Sequence, residues 1–243
     1  MADTPGKGPI LEAQNLRQTF SGNTVLQGLS FQVFTGETYC LLGRNGTGKT
    51  TTLHLLLGLQ RPVEGRALVL GHAACDAPDV ARAEVAYVPE SAALYPHLSA
   101  LENLGYLLAA GGRTDISDAD CRAALEQVGF PVEAASRQAG AYSKGMRQKV
   151  VLALALLRRC RGLLLDEPTT GLDPQSTDEL AASIRRVAQE GVATLLVTHD
   201  LPFAAAVAHT AGILRGGAVS RTLALADHTP ETLASAYMGA GAA

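Results

Sequence analysis

The chain has 243 residues, 47% of them hydrophobic and 18% charged, with a formal net charge of −3. That is material for one large domain or two small ones with a sizeable core. So mild an acidity speaks against a polyanion-binding surface, and no nucleic-acid partner is expected.

Met1 to Lys7 lacks the apolar core of a secretory leader. The longest apolar run, Val150 to Leu157, has eight residues, whereas a membrane span needs about 20. Cys40, Cys75, Cys121 and Cys160 form no Cys-x-x-Cys pair and read as small buried thiols in a reducing compartment. A cytoplasmic location follows as the expectation.

In chain order, residues 10–34 alternate apolar and polar around Ser21-Gly22-Asn23, which predicts two antiparallel strands. Thr38–Leu42 reads as a buried strand and Thr51–Leu57 as a helix ending near Gly58. Strands are expected over Gly65–Leu70 and Glu84–Val88, the latter stopped by Pro89. The texture then turns helical. Ser99-Ala100-Leu101-Glu102 is a capping box opening a helix to Ala110, and Ser117 caps a second over Asp118–Val128. A third spans about Lys144 to Arg159, with Arg158, Arg159 and Arg161 at its negative end and Gly162 as terminator.

Strand and helix alternate from there. Leu163–Leu165 and Val192–Val197 read as strands, Pro174–Ala188 (capped by Asp173) and Leu201–Ala208 as helices. A hairpin turns at Gly216-Gly217, and Thr229-Pro230-Glu231 opens a short terminal helix. The order implies an α/β protein with a mainly parallel sheet, an N-terminal antiparallel β subdomain and an inserted α-helical subdomain.

Between the strand at 38–42 and the helix after it lies Gly43-Arg44-Asn45-Gly46-Thr47-Gly48-Lys49-Thr50, the phosphate-loop pattern. Glycines let the backbone curl until its N–H groups face phosphate oxygens, and the following helix adds its positive end. The loop from Gly43 through Asn45, Gly46, Thr47 and Gly48 to Lys49, Thr50 and Thr51 is therefore a nucleoside triphosphate site. Lys49 reaches the outer phosphates and the Thr50 hydroxyl holds Mg²⁺. Asp166 and Glu167 end a strand where ligands sit in open α/β sheets. Asp166 suits Mg²⁺ through its waters, and Glu167 suits activation of the attacking water.

Tyr142-Ser143-Lys144-Gly145-Met146-Arg147-Gln148 opens the third helix, 23 residues from Ser143 to Asp166. With Asp166-Glu167-Pro168-Thr169-Thr170-Gly171-Leu172-Asp173-Pro174 after it, the chain resembles the ATPase subunit of an ABC transporter over about residues 10–221. The resemblance implies one ABC ATPase domain on a P-loop NTPase core: core and β subdomain at 10–89 and 160–221, helical signature subdomain at 90–159, C-terminal helix at 222–243. It implies ATP and Mg²⁺, with Phe20 stacking on adenine and His199 as the switch histidine at the γ-phosphate. Ser143 and Gly145 are its signature residues, which meet ATP held by a second ATPase subunit, and Asp173 is its Asp-loop residue. The implied partners are that second subunit, expected as a homodimer, and an integral membrane permease, with the chain peripheral on the inner membrane face.

Two positions depart from the usual pattern: Glu90 stands where most relatives have glutamine, beside the metal, and Lys144 where most have glycine. Both resemble the exporter branch. The apolar stretch Ala93–Leu98 resembles the groove that receives the permease. The alternatives are a soluble ABC-type ATPase without a transporter, as in iron–sulphur assembly, and a binding module that no longer hydrolyses. His54, His72, His97, His209 and His228 match no motif.

Overall fold

The structure, a computed structural model, describes residues 8–239. It holds two sheets. In the first, β1 (Leu11–Phe20), β2 (Asn23–Val33), β4 (Glu64–Val69) and β5 (His72–Ala73) pair antiparallel in the order β2-β1-β4-β5. In the second, β3 (Thr38–Leu42), β6 (Val85–Val88), β7 (Gly162–Asp166), β8 (Ala193–Thr198), β9 (Thr210–Arg215) and β10 (Ala218–Ala224) run β10-β9-β3-β8-β7-β6. Only β10 is antiparallel there.

The helices are α1 (Lys49–Leu56), α2 (Pro78–Glu84), α3 (Ala100–Ala110), α4 (Asp118–Gln127), α5 (Lys144–Leu157), α6 (Pro174–Gln189), α7 (Leu201–Val207) and α8 (Pro230–Gly239). Every residue of β3, β7 and β8 is buried, as continuous apolar strands covered on both faces must be. Their side chains alternate between two cores. Cys40, Leu42, Leu163, Leu165 and Leu196 face the helical block α3–α5 together with α6 and α7. Leu41, Leu164, Leu195 and Val197 face α1 and the antiparallel sheet.

Local signals set most element ends. Ser21 and Gly22, both at positive φ (48° and 84°), make the tight turn between β1 and β2. Ser99 and Ser117 close full capping boxes on α3 and α4, and Asp173 caps α6.

Three expectations need correction. Gly162 does not terminate α5; it is the buried first residue of β7. The chain reverses at Arg159, at φ 56°, where the Arg159 and Cys160 amides donate back to the Leu156 and Ala155 carbonyls. Arg158 reaches instead to the Arg82 and Ala83 carbonyls at the end of α2 (2.7 and 3.3 Å). Residues 222–224 belong to β10, so the C-terminal helix starts only at Pro230. The short β5 and α2, between Leu70 and Glu84, had no periodicity long enough to announce them.

Candidate active site

The strand order explains why residues far apart in sequence meet. β3, β8, β7 and β6 are parallel neighbours, so their carboxyl ends share one rim. β3 delivers the loop Gly43–Gly48, β8 delivers His199, β7 ends in Asp166 and leads to Glu167, and β6 leads through Pro89 to Glu90. An open cavity of about 460 Å³ lies there, lined by Asn45, Gly46, Gly48, Lys49, Thr50 and Thr51 of the loop and helix start. Val25, Glu90, Asp166 and Glu167 complete its wall.

The loop's shape depends on glycine at two places. Gly46 and Gly48 take φ of 80° and 104°. At Gly48 a Cβ would also lie 2.5 Å from Leu26 Cδ2 and 3.1 Å from the Val25 carbonyl, so no side chain fits.

Lys49 is buried and fully engaged. Its Nζ donates to the Gly43 carbonyl at 2.6 Å and the Arg44 carbonyl at 3.1 Å, and stands 3.0 Å from Glu167 Oε1. The other Glu167 oxygen accepts from the Thr198 hydroxyl at 3.0 Å and meets His199 Nδ1 at 2.9 Å. Burial pushes the Glu167 carboxyl up, but His199 and Lys49 together outweigh it and leave it below the usual carboxylate range. Glu167 sits at φ 43°, a left-handed backbone uncommon for a residue with a side chain. Its amide is anchored on the Val197 carbonyl at 2.9 Å.

Asp166 is buried, and burial raises its carboxyl above the usual range against two donors. The Thr50 hydroxyl donates to Oδ1 and the Tyr87 hydroxyl to Oδ2, each at 3.3 Å. A hydroxyl and two carboxylates (Asp166, with Glu90 on the same cavity wall) are the oxygen donors a hard cation prefers. Among the described residues no cluster of three or more His, Cys, Asp or Glu could hold a metal unaided. Mg²⁺ binds through one or two carboxylates plus substrate phosphates and keeps several waters, and Thr50 and Asp166 would be the protein's share of such a site.

The remaining sequence-predicted residues are not in the cavity wall. Phe20 is 41% exposed at the end of β1. Ser143 is exposed and caps α5, its hydroxyl accepting from the Met146 amide at 3.2 Å. Gly145 is buried beside Ser176 and Leu172. Asp173 is exposed, its two carboxylate oxygens taken by the Ser176 amide (2.9 Å) and hydroxyl (2.7 Å). Lys144 donates to the Thr170 carbonyl of its own chain. Burial lowers its pKa, and the charge of Glu90, acting within the same chain, opposes that shift.

Sequence reading missed Tyr87 and Thr198, whose hydroxyls hold Asp166 and Glu167. The one available signal was position: each lies within three residues of a predicted site residue at a strand end. Of the unmatched histidines, His209 has a structural task, its Nδ1 accepting from the Thr38 amide at 2.9 Å.

A family model described as ABC transporter matches residues 26–170. The chain belongs to the ABC transporter family. The spermidine/putrescine import ATP-binding protein PotA of Spiroplasma citri is 33% identical over 92% of this chain and 65% of its own length. The Nod factor export ATP-binding protein I of Paraburkholderia xenovorans is 35% identical over 94% of this chain and 74% of its own. The chain thus spans less than two thirds of the length of the first of these curated relatives and about three quarters of the second. A solved structure titled as the ATP binding subunit of an ABC transporter superposes with a TM-score of 0.78 at 30% identity, covering 94% of this chain and 99% of that one. The two-sheet architecture with its helical block is therefore that of the family's ATP-binding subunits. The relatives include both an importer and an exporter, so family membership leaves transport direction open.

Proposed function

We propose that the chain is the ATP-hydrolysing subunit of a transporter, working as a dimer beneath a separate membrane-spanning partner. The observation that supports this best is the meeting of the phosphate loop, Asp166–Glu167, His199 and Glu90 on one rim of four adjacent strands. ATP would lie along the loop amides, with Lys49 on its outer phosphates and Phe20 offered to the adenine. Mg²⁺, held by Thr50 and Asp166, would neutralise charge on the phosphates. Water attacks the γ-phosphorus while Glu167 takes its proton, the bond to ADP breaks, and ADP and phosphate leave. His199, already on Glu167, keeps that carboxylate aimed and contacts the γ-phosphate.

The wall of this cavity contains neither Ser143 nor Gly145. The family resemblance assigns these signature residues to nucleotide held by a second subunit, and a homodimer is the reading. No helix among the described residues is long and apolar enough to cross a membrane, so the translocation path is assigned to the partner. The docking surface is assigned to Tyr95 and Tyr106, two exposed rings packed edge-to-face at 4.9 Å beside the segment after Glu90. Export is the proposed direction, supported by Glu90 and Lys144, the two positions resembling the exporter branch. The proposed division into core, helical insert and C-terminal helix keeps the expected boundaries, save that the last begins at Pro230.

Glu167→Gln tests the reading. Phosphate release should fall roughly 10²–10⁴-fold, the usual worth of a general base, while gel filtration with ATP shows a persistent dimer. Normal turnover in this variant would remove Glu167 from its role. Co-purification with a soluble scaffold in place of a membrane protein would favour a transporter-free ATPase.

A further inference from the structure

Asp166 has two carboxylate oxygens, and the structure gives each its own donor. Oδ1 is held by Thr50 from α1, and Oδ2 by Tyr87 from β6. The second contact follows from sheet register. Tyr87 is directly opposite Leu164 in the parallel pair β6–β7. Side chains alternate along a strand, so Asp166, two residues beyond Leu164, emerges on the same face as Tyr87. The ring packs against the core shared by Leu164 and α1. That packing leaves the hydroxyl as the part able to reach the end of the neighbouring strand.

The two donors differ in one respect. The Thr50 hydroxyl is itself assigned to Mg²⁺, and once it turns to the ion it ceases to hold Oδ1. Tyr87 is then the remaining side-chain donor to Asp166 among the described residues. Three residues further on, the same strand exit carries Glu90 into the cavity wall. A single short element thus orients one carboxylate and delivers another.

We propose that Tyr87 is a positioning residue for the metal site: its hydroxyl fixes the plane of the Asp166 carboxylate so that Mg²⁺-ATP, more than ATP alone, finds its ligands preset. This rests on the assignment of Asp166 and Thr50 to Mg²⁺ made above. Removing such an outer donor characteristically weakens metal affinity 10–100-fold, while the phosphate loop, which holds nucleotide through Lys49 and backbone amides, is untouched.

The test is a binding experiment that needs no turnover. A fluorescent ATP analogue is titrated onto the purified chain in EDTA and at increasing MgCl₂, for wild type, Tyr87→Phe and Asp166→Asn. Tyr87→Phe keeps the ring in its packing and loses only the oxygen. The expected result is unchanged affinity in EDTA, which also confirms an intact fold. The Mg²⁺ concentration giving half the metal-dependent gain should rise roughly 10-fold. Asp166→Asn should abolish the gain. An unchanged Mg²⁺ midpoint in Tyr87→Phe overturns the role of the tyrosine while leaving the metal site standing. Equal losses with and without Mg²⁺ also overturn it, because they indicate looser packing. If wild type binds the analogue with no response to Mg²⁺, the metal assignment fails and the proposal fails with it.

Discussion

Lys49 carries the least expected detail at the scale of single residues. Its pattern position marks it for phosphate, yet here all its acceptors belong to the protein: two loop carbonyls and Glu167. Nucleotide must take the lysine away from the carboxylate proposed as general base. Glu167 therefore opposes binding twice, by holding Lys49 and by adding negative charge near the phosphates. Glu167→Gln should tighten binding of a non-hydrolysable ATP analogue several-fold even as turnover falls, which isothermal titration measures directly. Equal or weaker affinity would show that the ion pair does not compete. Gly48 is the second case. Gly48→Ala forces a side chain onto φ 104° and into Leu26. It should cost on the order of 1–3 kcal/mol for the backbone alone and abolish analogue binding, read by thermal melts and titration.

At the scale of elements, what the sequence announced was what neighbours along the chain determine. The apolar runs of β3, β7 and β8, the capping box at Ser99 and the cap at Ser117 are local patterns, and the structure has a strand or a capped helix at each. Contacts made by register or by one side chain crossing between elements were invisible: Tyr87 on Asp166, Arg158 on the end of α2, and Asn103. That asparagine is fully buried in α3 and ties down the preceding loop. It accepts from the Tyr95 amide at 2.8 Å, and its two amide hydrogens are shared among the carbonyls of Tyr95 (3.1 Å), Leu98 (3.2 Å) and Ser99 (2.8 Å). Nothing in its neighbours marks it. Asn103→Ala should cost on the order of 2–4 kcal/mol through stranded buried polar groups, with Tm falling roughly 2–4 °C per kcal/mol. It should also loosen the loop carrying Tyr95 and so weaken capture of the membrane partner.

The helical block is tied to the core by Lys149 of α5, buried, which donates to the Gly129 carbonyl (3.0 Å) and to Glu179 of α6 (2.8 Å). Lys149 holds the Glu179 carboxyl below its usual range, helped by Gln175. A lowered folded-state pKa means that the contribution is present above the unfolded value, about 4.3, and is lost as pH falls through the folded one. Glu179 is 48% exposed, so the contribution is small. The Tm gap between wild type and Glu179→Gln should close as pH drops below about 4. A gap independent of pH would assign the effect to packing.

At the scale of the whole molecule, the signature end of α5 grips the segment that follows Glu167. Lys144 donates to the Thr170 carbonyl, and buried Gln148 donates to the Pro168 carbonyl at 2.6 Å. Gly145 packs on Ser176 and Leu172 at the entry to α6. In the proposed dimer, Ser143 and Gly145 touch one ATP while the Glu167 they are joined to works on the other. One rigid junction therefore spans both sites. Lys144 could act on Glu90 only across the proposed dimer, or within its own chain, where the charge of Glu90 already reaches it. A double-mutant cycle with Glu90→Gln and Lys144→Gly separates the two ideas. Melts of the nucleotide-free chain should show the two substitutions coupled rather than additive, because the charge of Glu90 acts on Lys144 before any dimer forms. Lys144→Gly should also speed amide exchange across residues 168–171, which lose an anchor. Additive melts with coupling confined to ATPase rates would restore the purely inter-subunit reading, in which the lysine acts only when two chains close on ATP.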